Sequence, residues 1–159
     1  MKTGELLQLA ISIVVCLCAG LLGSFFTAGS IPTWYAGLQK PSFNPPNWLF
    51  APVWTTLYIL MGIAAYLVWR KGWSAPAVKP ALLIFAVQLA LNVAWSVIFF
   101  NFHSPFYAFL EIILLWAAIV LTIIVFFLVS SPAAWLLVPY LLWVSFASVL
   151  NFMIWRLNR

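Results

Sequence analysis

Charged residues are scarce in this sequence: Lys and Arg total seven, Asp and Glu total two, and together they make up 6% of 159 residues. A soluble domain carries about 25% charged residues, so the composition excludes an ordinary water-soluble fold. The formal net charge of +5 rests on too few cations to form the basic patch of a nucleic-acid-binding protein. We therefore expect no nucleic acid among the partners of this chain.

The residue types that build catalytic and metal sites are also few. The one histidine, His103, lies in a short predicted loop, and the two acids, Glu5 and Glu111, are far apart in the sequence. Cys16 and Cys18 are two residues apart on a predicted helix, so they point to nearly opposite sides and cannot share a metal or a disulfide. We expect no metal site and no acid–base catalytic site.

Apolar residues are abundant instead, at 67% of the chain with a mean hydropathy of +1.15. A membrane-spanning helix needs about 20 apolar residues, and five segments meet that length: 6–26, 48–69, 80–100, 105–129 and 133–155. Prolines mark the joints between them, and no alternating β pattern is sustained. The sequence predicts one all-α integral membrane domain over residues 1–159, a five-helix transmembrane bundle surrounded by the lipid bilayer.

The connection between the first two spans, residues 27–47, differs from the rest of the chain. Pro41, Pro45 and Pro46 prevent a helix from running through it. Its aromatic rings favour burial, which a loop that only crosses water would not provide. We predict a structured lid over the mouth of the bundle, with Trp34, Lys40, Pro41 and Trp48 as its lid residues.

Polar and aromatic side chains follow one face of several spans. The inward faces predicted by helical spacing are Gln88, Asn92 and Trp95 on the third span, Trp54, Tyr58, Gly62, Ala65 and Trp69 on the second, and Tyr140, Trp143, Ala147 and Asn151 on the fifth. Amides are costly in lipid, so these faces should turn inward. For Gln88 we favour a role in joining helices, and for Asn92 contact with a ligand. Aromatics and amides converging under a lid predict a small-molecule pocket.

The first span carries a strip of small residues, Gly20, Ser24 and Ala28, at four-residue spacing. Small residues let membrane helices approach closely. We expect this strip to pack against another helix and to be the contact of a homodimer.

The loop and the spans together resemble the translocator protein family, also known as the TspO or tryptophan-rich sensory protein family. The matching motifs are Trp34-Tyr35-Ala36-Gly37-Leu38-Gln39-Lys40-Pro41-Ser42 with Pro45-Pro46, Pro52-Val53-Trp54 with Leu57-Tyr58, Tyr66-Leu67-Val68-Trp69, Gln88-Leu89-Ala90-Leu91-Asn92 with Trp95, Pro139-Tyr140-Leu141 with Trp143, and Leu150-Asn151 with Trp155-Arg156. They cover the chain in order, except for the first span.

This resemblance implies a five-helix bundle, usually dimeric, with a pocket under the first loop. Members of the family bind porphyrins and haem-pathway intermediates, and many bind isoquinoline-carboxamide and benzodiazepine drugs. Porphyrin or haem is therefore expected as a ligand and not as an obligatory cofactor. The ligand-binding residues that the resemblance implies, with Tyr58 added from the helix faces, are Tyr35, Pro45, Trp54, Tyr58, Asn92, Trp95, Trp143 and Ala147.

One departure from the family bears on its lipid partner. Animal members bind cholesterol through a motif at the end of the fifth helix that requires a tyrosine, and here Phe152 and Met153 stand where it is needed. The resemblance therefore does not extend to cholesterol. The short C-terminus and the missing tyrosine favour a prokaryotic member, located in the bacterial cell membrane and not in the mitochondrial outer membrane.

The sequence leads to a membrane receptor or transporter-like protein that binds porphyrins and related flat hydrophobic ligands inside its bundle. One alternative is a light-dependent enzyme that degrades porphyrins, with Trp54 and Trp143 as electron donors to the excited ring. The other alternative is a dimeric sensory or stress regulator without transport.

Overall fold

The computed structural model describes residues 3–159, so residues 1 and 2 of the predicted domain lie outside the described part. Its helices in chain order are α1 (Thr3–Ala28), α2 (Asn47–Trp69), α3 (Val78–Ser96), α4 (Pro105–Val129), α5 (Ser131–Leu136) and α6 (Val138–Leu157). Two π-helical segments, Ile31–Tyr35 and Val97–Asn101, follow α1 and α3. Five helical stretches are long and apolar enough to cross a membrane, which confirms the predicted all-α bundle.

The fifth span is divided in two, where the sequence predicted one helix from 133 to 155. Its short first part, α5, ends at Leu136, and α6 begins at Val138. Pro139 lies in the first turn of α6 and has no N–H to donate to the preceding turn. At the joint, the backbone N–H of Leu137 donates to the carbonyl of Ala134 at 3.1 Å. This bond spans three residues, as in a 3₁₀-turn, which is tighter than an α-helical turn.

Two pairs of consecutive helices pack together, α1 with α2 and α3 with α4. In addition, α4 contacts α6, and α1 contacts α3. α1 and α2 approach each other closely at Gly62, where an added Cβ would lie 2.6 Å from the Cα of Ile13. A second close approach is at Gly20, where an added Cβ would lie 2.5 Å from the ring of Tyr58. Glycines thus allow these two membrane helices to touch.

The predicted dimer contact at Gly20 stays a prediction, and the structure shows a contact of Gly20 within the chain. The close approach that Gly20 permits is to Tyr58 of the same chain. The absence of a side chain at Gly20 therefore makes room for the Tyr58 ring within the bundle. Ser24 and Ala28 are exposed on α1, and for them a dimer contact stays a prediction.

The lid, which we define as residues 29–46, is docked on the bundle by side chains from two other segments. In the His103 clamp, the ring of Trp34 stacks on His103 with centroids 4.5 Å apart, and the Ser30 hydroxyl donates to the carbonyl of Phe100 at 2.8 Å. In the Asn158 clamp, the Gln39 N–H donates to the Asn158 side-chain oxygen, and the Asn158 amide donates to the Gln39 carbonyl, both at 2.9 Å. The lid is thus fastened at two places.

The lid also contributes to a second apolar cluster at this end of the bundle. Tyr35 is buried there with Phe99 and Phe100 from the π-helical segment after α3, and with Leu150 and Ile154 from α6. The main core, which is formed by all the spans, lies further along the bundle. The lid is therefore an integral layer of the fold, as the sequence predicted from its aromatic residues.

Replacing Gly62 by leucine should separate α1 from α2, because the new side chain meets backbone atoms of Ile13. We expect a loss of about 3 kcal/mol in the free energy of unfolding, as is typical of severe overpacking. Denaturation by sodium dodecyl sulfate in mixed micelles measures it. Gly37→Leu is the control, since nothing lies within 4 Å of its added Cβ. Equal stability of both variants would contradict this packing.

Candidate functional site

A cavity of about 530 Å³ lies beneath the lid, between α1, α2, α3 and α6. Small-molecule pockets typically measure about 300–1,000 Å³, so this cavity has the size of a ligand site. Its lining consists of Leu17, Gly20, Leu21, Gly23, Ser24, Thr27, Ala28, Ile31, Tyr35, Asn47, Phe50, Ala51, Trp54, Thr55, Tyr58, Asn92, Trp95, Ser96, Phe99, Phe100, Trp143, Ala147, Leu150, Asn151 and Ile154.

Three tryptophans from three different helices line the cavity: Trp54 on α2, Trp95 on α3 and Trp143 on α6. Each ring is fixed by an aromatic neighbour. Trp95 stacks on Phe99 with centroids 5.1 Å apart, and Trp143 meets the edge of Phe50 at 5.9 Å. Trp54 lies 5.7 Å from Tyr58. The walls thus present large aromatic surfaces whose positions are set before any ligand binds.

A hydrogen-bonded row of three side chains forms the polar part of the wall. The Tyr58 hydroxyl donates to the Asn92 side-chain oxygen, and the Asn92 amide donates to the Tyr140 hydroxyl at 2.8 Å. Tyr58 and Asn92 line the cavity, whereas Tyr140 lies behind them in the core. The row joins α2, α3 and α6 across the interior.

This row changes the interpretation of Asn92, which the sequence predicted as a ligand contact. Its oxygen and one of its amide hydrogens are taken by tyrosines, and it is only 3% exposed. Asn92 therefore holds the helices together, the role that the sequence had assigned to Gln88. Contact between its remaining amide hydrogen and a ligand stays a prediction.

A second bridge orients Trp95. Its indole N–H donates to the Asn151 side-chain oxygen at 3.0 Å, and the Asn151 amide donates to the carbonyl of Pro105 at 2.8 Å. Asn151 thereby connects the ends of α3, α4 and α6. Because the Trp95 N–H is already paired, this residue offers a ligand its ring face and not a hydrogen bond.

Trp143 differs from Trp95 in this respect. Its indole nitrogen is buried and has no acceptor among the described residues. A buried N–H without a partner costs about 1–3 kcal/mol, and because this nitrogen exposes no surface to the cavity, a ligand acceptor would recover that energy only if the indole turned its N–H toward the cavity. The other buried groups without a partner include the Gln88 oxygen and the Glu111 carboxyl, and neither residue lines the cavity.

On the lid side, Tyr35 reaches the cavity. Its hydroxyl donates to the Asn44 side-chain oxygen at 3.0 Å, and the Lys40 ammonium lies 4.6 Å above its ring. Burial raises the pKa of the Tyr35 phenol, and the bond to Asn44 opposes that rise. The phenol therefore stays neutral at ordinary pH, and the lid brings the positive charge of Lys40 close to a cavity wall.

The structure brings together most of the residues that the sequence predicted. The cavity is lined by Tyr35, Trp54, Tyr58, Asn92, Trp95, Trp143 and Ala147. Pro45 does not line it, and its carbonyl instead accepts a bond from Asn44 at 2.9 Å. The four lid residues also lie outside the lining, and Trp48 is 72% exposed at the start of α2.

Sequence reasoning missed part of the wall, notably Phe99 and Phe100. They lie in the π-helical segment after α3, where the regular 3.6-residue spacing no longer applies. Phe50, Leu150 and Ile154 were also missed, because single apolar residues in a membrane helix give no sign of which face they occupy. Among residues 3–159, the structure forms no group of three or more His, Cys, Asp or Glu side chains suited to a metal.

Comparison with known proteins identifies the family. The profile of the TspO/MBR family matches residues 12–156. The tryptophan-rich protein TspO of Chlorobaculum tepidum is 51% identical over 97% of this chain and 98% of its own length. The Archaeoglobus fulgidus protein of the same name is 49% identical over 97% and 99%, and the human translocator protein 45% over 87% and 82%. This chain belongs to the TspO/MBR family.

Proposed function

We propose that this protein binds porphyrins and related flat hydrophobic molecules, including isoquinoline-carboxamide and benzodiazepine drugs, in the cavity beneath the lid. The observation that carries the proposal is the set of three tryptophans around one space, one of which has a buried N–H without an acceptor. Flat aromatic guests stack on such rings with about 0.5–1.5 kcal/mol per pair beyond simple burial. The family's members named translocator protein agree with a binding or transporting role.

The polar features of the cavity suggest how such a guest would be oriented. If the Trp143 indole turned its buried N–H toward the cavity, a carbonyl of a drug-like ligand would accept from it, since this N–H has no other partner among the described residues. The acidic side groups of a porphyrin would favour the lid side, because Lys40 lies there against the cavity residue Tyr35. Both features would bind polar groups of the ligand, and its ring system would stack on the tryptophans.

We further propose that the protein lies in a bacterial cell membrane and not in the mitochondrial outer membrane. The bacterial and archaeal relatives at 51% and 49% identity share more of this sequence than the human translocator protein at 45%. Expression in bacterial membranes is therefore the natural setting for binding experiments.

A light-dependent breakdown of bound porphyrin is a second candidate function. It is favoured by the position of two electron-rich indoles, Trp54 and Trp143, on the wall of the same cavity. An excited porphyrin held there would take one electron from an indole, which leaves an indole radical cation and a porphyrin radical anion, and dioxygen would then add to the porphyrin radical anion. No acid–base residue is needed for that step.

Replacing Trp143 by phenylalanine should weaken the binding of an isoquinoline-carboxamide about tenfold, because the ring remains but the N–H is lost. Isothermal titration in detergent measures the dissociation constant. Trp73→Phe is the control, since this exposed tryptophan does not line the cavity. An unchanged dissociation constant for Trp143→Phe would reject the hydrogen bond to the ligand.

Aerobic illumination of the protoporphyrin complex tests the second candidate. We expect a new bilin-like absorbance in the wild-type protein and a several-fold slower appearance with Trp54→Phe, because phenylalanine does not donate an electron as indole does. Simple bleaching at the same rate in both proteins would eliminate the enzymatic function. It would leave the binding function in place.

A further inference from the structure

The residues that line the cavity differ in how far they are exposed at the protein surface. Most lining residues are buried or half-buried, but six of them are exposed, and among the described residues all six belong to α1 and α2. They are Leu21, Ser24, Ala28, Asn47, Ala51 and Thr55. The walls formed by α3, α6 and the lid contain no exposed lining residue in the described part of the chain. The cavity therefore opens between the first two spans.

The small residues of these two helices explain the opening. On α1, Ser24 and Ala28 face the cavity, and on α2, Ala51 and Thr55 do so. The Thr55 hydroxyl donates its hydrogen to the carbonyl of Ala51 at 2.8 Å. That hydrogen is therefore not available for a bond to the other helix. Short side chains on both sides leave a gap where large ones would close it.

The gap is closed on the side away from the lid. There α1 and α2 are in contact at two glycines: Gly20 lies against Tyr58, and Gly62 lies against Ile13. The two helices thus touch on that side, and the six exposed lining residues lie nearer the lid. The opening is limited to the half of the bundle that holds the cavity.

The lid, which forms the roof of the cavity, is by contrast held to the bundle by both clamps. The His103 clamp stacks Trp34 on His103 at 4.5 Å, and the Asn158 clamp forms two hydrogen bonds of 2.9 Å with Gln39. A guest arriving from water through the roof would have to break these contacts. A guest arriving between α1 and α2 would break none of them.

We propose that the gap between α1 and α2 is a lateral portal through which the ligand passes between the bilayer and the cavity. This inference rests on the proposed function, and it defines the ligand class further: planar molecules that are dissolved in the lipid. Both helices are long and apolar enough to span the membrane, and in this proposal the gap between them faces lipid. The strip of Ser24 and Ala28 borders this portal, which gives it a role that needs no second copy of the chain.

Narrowing the portal should slow binding and release together. In proteoliposomes, we expect Ser24→Phe and Ala51→Phe each to lower the association and the dissociation rate constants for protoporphyrin about tenfold, whereas the loss of a cavity contact alone would raise the dissociation rate constant. Stopped-flow quenching of tryptophan fluorescence measures the rates. Leu22→Phe is the control, because it adds bulk to the same helix at an exposed position outside the cavity lining.

Loosening the lid provides the opposing test. Asn158→Ala removes both hydrogen bonds to Gln39, and we expect it to leave the two rate constants unchanged. If Asn158→Ala accelerates binding and release while Ser24→Phe and Ala51→Phe have no effect, the ligand passes through the roof and the portal is refuted.

A measurement without ligand separates the portal from the proposed function. A spin label on Thr55→Cys, in a chain with Cys16→Ala and Cys18→Ala, should collide with lipid-soluble oxygen more often than with a water-soluble nickel chelate. The reverse preference would refute a portal that faces lipid. If the label reports lipid but protoporphyrin does not quench the wild-type protein, the portal stands and the porphyrin proposal fails.

Discussion

The pairing of polar groups inside a medium without water is the constraint on which this structure depends. A bilayer offers no hydrogen bonds, so the backbone is helical and side-chain amides must find partners within the bundle. The row Tyr58–Asn92–Tyr140 meets that demand by joining α2, α3 and α6 across the interior. Asn151 does the same between Trp95 and the start of α4. These bridges hold the helices around the cavity at fixed spacing.

The cavity can remain open because its walls are rigid without a ligand. Aromatic rings that contact each other, such as Trp95 with Phe99 and Trp143 with Phe50, cannot collapse inward without losing those contacts. The lid adds a roof that is fastened by His103 and by Asn158. A cavity that is formed before any ligand binds agrees with the flat, poorly water-soluble ligands that we propose.

Much of this architecture could be predicted from the sequence, because hydropathy sets the spans and proline sets the joints. Trp54, Trp95 and Trp143 were also predictable, since helical spacing places each on a face with polar residues. The partners of Asn92 were not, because spacing gives the face of one helix but not its neighbour. The contact of Gly20 with Tyr58 was not predictable for the same reason: a small residue predicts close packing, and only coordinates show against which helix.

The π-helical segment Val97–Asn101 has a consequence for how this protein can vary in length. A π-turn holds one residue more than an α-turn, and each residue rotates the following chain by about 100°. Deleting a single residue here would convert the π-helical segment into a regular α-helix. His103 would then swing out of register with Trp34, and Phe99 and Phe100 would leave the cavity wall. Insertions and deletions should therefore be tolerated far less at this bend than in the connection between α2 and α3.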